Sequence, residues 1–362
     1  MTISVYLTDA YGKRLAELTR YSDFECVTAV NAVGYWNMKF PAQDFPRALF
    51  FGMGTFAIDR RIEVWRAPKG REQRLVFVGF VRSYEENEEG YAYTEDYTDE
   101  CTFCYAAGSG TEATRTFTDS QNTTRLLASP LNRIECLWED TSEADANVLQ
   151  DGANQVLYEK RPIIDFAPRN IEISYLYPHD WGLGDTLRVS TGAPQTITVG
   201  GPDLNHLLAR RIVAYLTGSA EARKNAEADD MMKEYVYENM GAGVAAARQF
   251  PATLGFEIAG DQTAGPVLEY SSKFGNVLNV LQGIADRAAE DGTRVYFGIV
   301  PVVHNGIIIP RFETRIGRWG NDRTDLPIAS GIRTQDLTVG GIRLTASARG
   351  EEVIPRFEEI NA

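Results

Sequence analysis

The chain has 362 residues, 44% of them hydrophobic and 24% charged, which is enough apolar mass for two or three ordinary domains with buried cores; disorder is not expected. Its 36 Lys and Arg against 50 Asp and Glu leave a formal charge of −14, which works against tight wrapping of a phosphate backbone and suits a surface past which a polyanion slides without sticking. No apolar run approaches the roughly 20 residues that span a bilayer, and Met1-Thr-Ile-Ser-Val-Tyr6 has no basic leader followed by an apolar stretch, so neither membrane insertion nor signal-driven export is expected.

The first segment reads as antiparallel sheet. Ile3, Val5 and Leu7 alternate with Ser4, Tyr6 and Thr8, and Asp9-Ala-Tyr-Gly12 turns the chain into a hairpin. A strand at Cys26–Val30 is followed by Asn31-Ala-Val-Gly34. Trp36, Met38 and Phe40 then face one way and Tyr35, Asn37 and Lys39 the other, until Pro41. Phe45–Phe51 reads as one helical turn, and strands follow at Arg61–Arg66 and Leu75–Tyr84. Short strands separated by turns predict a small barrel or sandwich. The acidic run Glu85-Glu-Asn-Glu-Glu-Gly90 reads as a solvated break at a domain boundary.

Beyond it, Tyr91–Tyr105 is strand-like and Ile134–Trp138 is a short apolar run. Ala144, Val148, Leu149, Ala153, Val156 and Leu157 mark an amphipathic helix ended before Pro162. Ile171, Ile173, Tyr175 and Tyr177 alternate as a strand, and Asp180–Asp185 turns into Thr186–Ser190. Asp203 is placed to cap a helix carrying Leu204, Leu207, Leu208, Ile212 and Leu216, with Gly218–Ala226 a polar loop after it.

Two helices are the clearest elements. Ala228, Met231, Met232, Tyr235, Val236 and Met240 share one helical face, stopped by Gly241. A second helix, capped near Ser271-Ser272, carries Phe274, Val277, Leu278, Leu281, Ile284, Ala285 and Ala288 and ends at Gly292. Arg294–Pro301 alternates as a strand laid over the pair. Strands at Ile307–Ile309 and Phe312–Ile316, the loop Gly320–Thr324, and strands around Ile342–Ala346 and Glu351–Phe357 complete the chain.

The fold class is therefore α+β, mainly β: several small antiparallel β domains, barrel- or sandwich-like, with an added helix-containing domain. The expected division is 1–84, a β-barrel-like domain; 85–195, α+β; 196–330, helix-containing α+β; and 331–362, strands closing onto a β domain.

Residues able to carry chemistry are scattered. His179, His206 and His304 lie far apart, and none sits in a metal-binding spacing. Cys101-Thr-Phe-Cys104 is the close pair among four cysteines with Cys26 and Cys136. On a strand its thiols face opposite sides, so it reads as structural, and the fold is not expected to depend on disulfides. Gly108-Ser-Gly110 lacks the spacing of a nucleophile elbow, while Gly52-Met-Gly54 and Gly200-Gly201 are too short to cradle a phosphate. Glu139-Asp140 and Asp229-Asp230 are candidate acid pairs, the second more simply the polar first turn of a helix. Arg61, Trp65 and Arg66, and Arg311, Phe312, Arg315, Arg318 and Trp319, interleave charge with aromatic surface. Such sets stack on a sugar or a base, or serve a sheet face or subunit contact. No catalytic, cofactor-binding or metal residue is assigned, no cofactor is expected, and the expectation is a protein without enzymatic activity.

The helix run Ala228-Asp-Asp-Met-Met-Lys-Glu-Tyr-Val-Tyr-Glu-Asn-Met-Gly241, the segment Val199–Arg211 before it, Phe274–Asp286 after it and Gly317–Thr324 resemble a family of minor tail proteins of long-tailed bacteriophages, the tail-tip or baseplate hub proteins. Gly34–Pro41, Arg60–Trp65 and Phe77–Val81 are similar to the first domain of such hubs, as are Tyr105–Gly110 and Gly184-Asp185 later in the chain. One departure is the order of blocks: the stretch like Tyr91–Ser190 follows the helix-containing block in those relatives and precedes it here.

The resemblance implies a homotrimeric structural protein of the virion, made in the host cytoplasm, that closes the tail tube at its tip. Its implied partners are the tail tube or distal tail protein, the tape measure protein, and tail fibres or receptor-binding proteins, with DNA met only in transit through an acidic lumen. The alternatives are a tail-associated glycosidase or cell-wall hydrolase using a carboxylate pair, and a carbohydrate-binding module using aromatic faces such as Trp65 and Trp319.

Overall fold

A computed structural model describes residues 2–52, 55–67, 72–88, 91–110, 115–168, 194–214, 221–317, 319, 341–349 and 352–360. One antiparallel sheet runs in the order β2 (Arg14–Leu18), β1 (Thr2–Thr8), β7 (Arg61–Ala67), β8 (Arg74–Phe80). The β1–β2 turn closes as the sequence implies, with the Asp9 carboxylate accepting from the Tyr11 and Lys13 amides at 2.9 Å and Gly12 at φ +90°. A second sheet of eight strands runs β14 (Ile163–Pro168), β10 (Tyr91–Asp96), β9 (Ser83–Asn87), β15 (Thr196–Pro202), β4 (Tyr35–Pro41), β3 (Asp23–Ala29), β21 (Gly341–Arg349), β22 (Glu352–Ile360). The two sheets enclose a core of Val5 and Leu7 from β1, Phe24 and Cys26 from β3, Trp36, Met38 and Phe40 from β4, Ile62 and Val64 from β7, and Ile197 and Val199 from β15. The period-2 pattern of β4 is thus realised with its aromatic face inward.

That sheet draws strands from all four expected segments. The acidic run read as a boundary is a hairpin arm: Glu85, Glu86 and Asn87 belong to β9 and pair with β10 on one side and β15 on the other. β15, the first strand of the expected 196–330 segment, lies between β9 and β4 of the earlier segments. Charge on this run is compatible with a strand because Glu86 meets Arg47 and the Tyr84 hydroxyl.

A second core gathers around the helices Ala228–Asn239 and Val277–Glu290. Met231, Met232, Tyr235 and Val236 of the first, and Val277, Leu281, Ile284 and Ala288 of the second, are fully buried with Phe297 and Phe312. The second helix starts later than the sequence reading places it. Ser271 and Ser272 finish the strand β18 (Val267–Ser272), paired with β16 (Ala222–Glu227), which occupies part of the stretch read as a polar loop. Phe274 sits at φ +53°, outside any helix, and the Asn276 side chain caps the Leu278 amide at 3.0 Å. β19 (Val295–His304) runs past Pro301 and pairs along its length with β20 (Ile307–Ile316), which fuses two expected strands; the two-residue turn Asn305-Gly306 has both φ positive. β17 (Glu257–Ile258) extends this sheet beside β20, and β5 (Phe51–Gly52) pairs with β6 (Thr55–Phe56).

The helix expected from Asp203 is a single turn, His206–Ala209. Asp203 serves a different purpose: its carboxylate accepts backbone amides of Ala29, Gly34 and Asn205, and its own N–H donates to Gly34 O at 2.9 Å. Leu216, Ile171–Ser190 and Gly320–Thr324 lie outside the described residues.

The third core is small. β12 (Phe117–Gln121), β11 (Phe103–Ala107) and β13 (Glu135–Glu139) form a sheet in that order, with β11 and β13 parallel, and the helix Ala146–Glu159 covers it through Leu149, Ala153 and Leu157. Val148, expected on the inner face, is 45% exposed. The cysteines depart from the sequence expectation that the fold does not depend on disulfides. Cys101 lies before β11 rather than in it, both thiols of the close pair enter this core, and Cys101 is bonded to Cys136 as a disulfide, leaving Cys26 and Cys104 free and buried. The bond closes a separation of 35 residues, so reducing it is expected to lower stability by about 4 kcal/mol through the unfolded chain. Peptide mapping without reductant, followed by unfolding with and without it, checks both the pairing and the loss.

Candidate functional site

Arginines inside apolar runs turn out to organise the interior. Asp59 is buried and accepts Arg82 Nε at 2.9 Å, Arg82 Nη2 at 3.0 Å and Arg210 Nη2 at 2.9 Å. Arg82 also donates to Tyr97 O and to Asn132 Oδ1, while Glu100 binds Arg125 through two bonds of 2.6 and 3.0 Å. Burial alone would push the Asp59 carboxyl up; the charges of Arg210 and Arg82 outweigh it and hold the group well below the usual carboxylate range. Arg210 Nε donates to His206 Nδ1 at 3.1 Å, so His206 is neutral, and burial with the neighbouring guanidiniums keeps it so. The side chains of Asp59, Arg82 and Arg210 have no exposure, so this cluster joins cores rather than meeting a ligand.

Arg211, the next residue, serves a second cluster. Glu135 accepts Arg248 Nε at 2.8 Å, Arg248 Nη2 at 2.7 Å, Arg133 Nε at 2.8 Å and the Ile212 amide at 3.2 Å. Arg211 is buried over the Phe250 ring at 4.5 Å and donates to the carbonyls of Arg133 and Arg210. Burial would raise the Glu135 carboxyl, but the Arg248 hydrogen bond and the charges of Arg211 and Arg248 lower it below the ordinary Glu value.

One member of this second cluster, Arg248, lines a surface cleft of about 380 Å³. Arg248 reaches its base, Tyr105 of β11 and Phe117 of β12 form one wall, and Phe274 stands behind with its ring centroid 5.1 Å from that of Phe117. Thr118, Asp119 and Glu238 border the opening, and Ala214, Val244 and Ala245 complete it. The Tyr105 hydroxyl accepts from Arg133 at 3.2 Å, tying the aromatic wall to the charged floor. The cleft is open to solvent and is mostly apolar, with polar groups at its base and rim.

A smaller hollow of about 250 Å³ lies at the start of the helix Ala228–Asn239, beside Asp230, Asp261 and Lys233. Asp229 is buried and already neutralised: it accepts Lys233 Nζ at 2.7 Å and the Ala264 amide at 2.7 Å. Oxygens of Asp229, Asp230 and Asp261 lie within 4.8 Å of one another. That is closer than the roughly 5 Å or more between the carboxyls of a glycosidase pair, and the crowding shows in titration rather than in a substrate gap. Burial and a hydrogen bond with Asp261 push the Asp230 carboxyl up to about 7, so the two share a proton below that pH. The Asp230 contribution is therefore complete below the ordinary Asp range and fades as pH rises through about 7, while the lowered carboxyls of Asp229 and Asp261 act in the opposite sense and lose their contribution at acid pH. Carboxyl carbon NMR is expected to show Asp230 titrating near neutrality in the native chain and returning toward an ordinary value in Asp261→Asn.

The other residues singled out by sequence have structural places. Glu139 pairs with Arg115 at 2.7 Å, and Asp140 caps Ser142. Arg61 is buried, donating to Ala10 O and Ile308 O, and Phe312 is core. Arg14 covers both Tyr6 and Trp65, at 4.2 and 5.0 Å, while Trp65 donates to Glu63 at 3.0 Å. Arg311 and Arg315 flank Glu313, and Trp319 packs over Gly298. His304 is exposed, 3.9 Å from Glu257. His179, Gly54 and Arg318 lie outside the described residues. Sequence reasoning missed the cleft and both arginine clusters; the available signal was charge inside apolar runs, as in Leu207-Leu-Ala-Arg-Arg-Ile-Val213. Comparison of the chain with known protein families and with curated proteins found no match in either.

Proposed function

We propose that this chain is a structural hub of the tail tip of a long-tailed bacteriophage, acting as a homotrimer that closes the tail tube and anchors receptor-binding components. The observation that carries the reading is where the resembling segments meet. Trp36 of the Gly34–Pro41 motif lies against Gly79 of the Phe77–Val81 motif and donates its indole N–H to Phe80 O at 2.9 Å. Gly201 of the Val199–Arg211 motif, at φ +154°, abuts Phe80 O, so a side chain there would collide with backbone. Asn205 of the same motif donates to Ala29 O and Ala32 O and accepts the Ile299 amide at 2.6 Å. Asn276 of the Phe274–Asp286 motif donates to Ala209 O at 2.7 Å.

The motifs thus lock the strands of the β-sandwich together and, through Asn205, join it to the helix-backed sheet, as expected of residues that define an architecture rather than a reaction. The charge of −14 supports a lumen that DNA traverses without adhering. Light scattering coupled to size exclusion, across a concentration series, is expected to give three times the chain mass. A monomer at every concentration, with no affinity for tail-tube or distal tail proteins, overturns the proposal.

A further inference from the structure

The geometry points to the cleft between β11, β12 and Phe274 as a saccharide site that takes a neutral pyranose ring; this inference does not rest on the hub reading. Charge is the first argument. Arg248 at the floor is held in two bonds by Glu135, and Glu238 at the rim is 2.8 Å from Lys224, so these ions are already countered. Asp119 has no ion pair among the described residues, but it stands exposed in water at the mouth, where a lone carboxylate costs little. The cleft therefore calls for no strongly charged ligand.

Shape and hydrogen bonding narrow the class. Phe117 keeps 40% of its surface exposed on an edge strand; Phe274 backs it from a left-handed backbone that a Phe adopts at a cost, and the Arg115 guanidinium, itself paired with Glu139, lies 5.6 Å from the Phe117 ring centroid. That is a preformed apolar platform. Beside it the rim offers the exposed Asp119 carboxylate as an acceptor, with the Thr118 hydroxyl able to donate or accept. A ligand that is neutral, apolar on one flat face and rich in O–H donors at its edge is a pyranose, and about 380 Å³ holds one or two such rings.

Saturation-transfer NMR on the full chain, with methyl β-glucopyranoside, methyl β-galactopyranoside and methyl N-acetyl-β-glucosaminide at millimolar concentration, tests this, with adenosine as the comparison ligand. The expected result is saturation of ring C–H protons of at least one glycoside, weakened about tenfold by Phe117→Ala and less by Asp119→Asn, and unchanged by Trp65→Ala on the distant sheet. Phe117 is exposed, so its loss leaves the core intact, which circular dichroism checks. No glycoside signal, a signal insensitive to Phe117→Ala, one abolished by Trp65→Ala, or binding of adenosine alone would each overturn the assignment.

Discussion

Replacing Asp59 by Ala is expected to cost about 3–5 kcal/mol of stability, the loss typical of breaking a buried ion pair from one side. Asp59 has no exposure and is the one carboxylate shared by Arg82 and Arg210, themselves without exposure. Its removal leaves two guanidiniums facing each other in a dry interior, with only Glu100, 3.4 Å from Arg82 and held more closely by Arg125, to offset them among the described residues. Arg82→Met is expected to cost less, because Asp59 then keeps Arg210. The pH dependence has a definite sign. The native Asp59 carboxyl lies below its unfolded value, so its contribution is complete above the ordinary Asp range and disappears as pH falls through the depressed native value. Urea unfolding from pH 7 to pH 2 should therefore show a shallower decline below the ordinary Asp range in Asp59→Ala than in the native chain. A loss below 1 kcal/mol at pH 7 would mean that water reaches the cluster.

The mainly β, α+β class was legible because it rests on local periodicity. β4 shows its Trp36, Met38, Phe40 face by alternation alone, and the helix Ala228–Asn239 shows Met231, Met232, Tyr235 and Val236 by spacing alone. Sheet order was not legible, since β15 lies between β9 and β4 through contacts more than 100 residues apart that no local pattern encodes. The start of the helix Val277–Glu290 was misplaced because two serines that look like caps are held in a strand pair, while the cap is Asn276. The disulfide was missed because Cys136 is remote from Cys101 in sequence and is brought beside it only by the parallel pairing of β11 with β13. The cleft was invisible for the same reason: Tyr105, Phe117, Glu238, Arg248 and Phe274 come from five separate stretches.

Removing Glu135 is the second large effect, and it links stability to the cleft. Glu135 is 3% exposed and fills all its acceptor positions with Arg248, Arg133 and the Ile212 amide, beside the buried Arg211. Without it, three guanidiniums share one poorly solvated region, so Glu135→Ala is expected to lose about 3–5 kcal/mol. Arg248→Met removes one of those charges, and the double variant should cost about 1–3 kcal/mol less than the sum of the single ones, the coupling expected of groups in direct contact. Because the native Glu135 carboxyl is lowered, its contribution holds above the ordinary Glu range and fades as pH drops through the native value. Arg248 is also the floor of the cleft, so freeing its side chain should weaken glycoside binding even where Glu135→Ala remains folded. Calorimetric unfolding gives the first two quantities, and saturation transfer on the folded variant gives the third. Glu135→Ala binding glycosides as tightly as the native chain would separate the cluster from the cleft and leave Glu135 a residue of the interior alone.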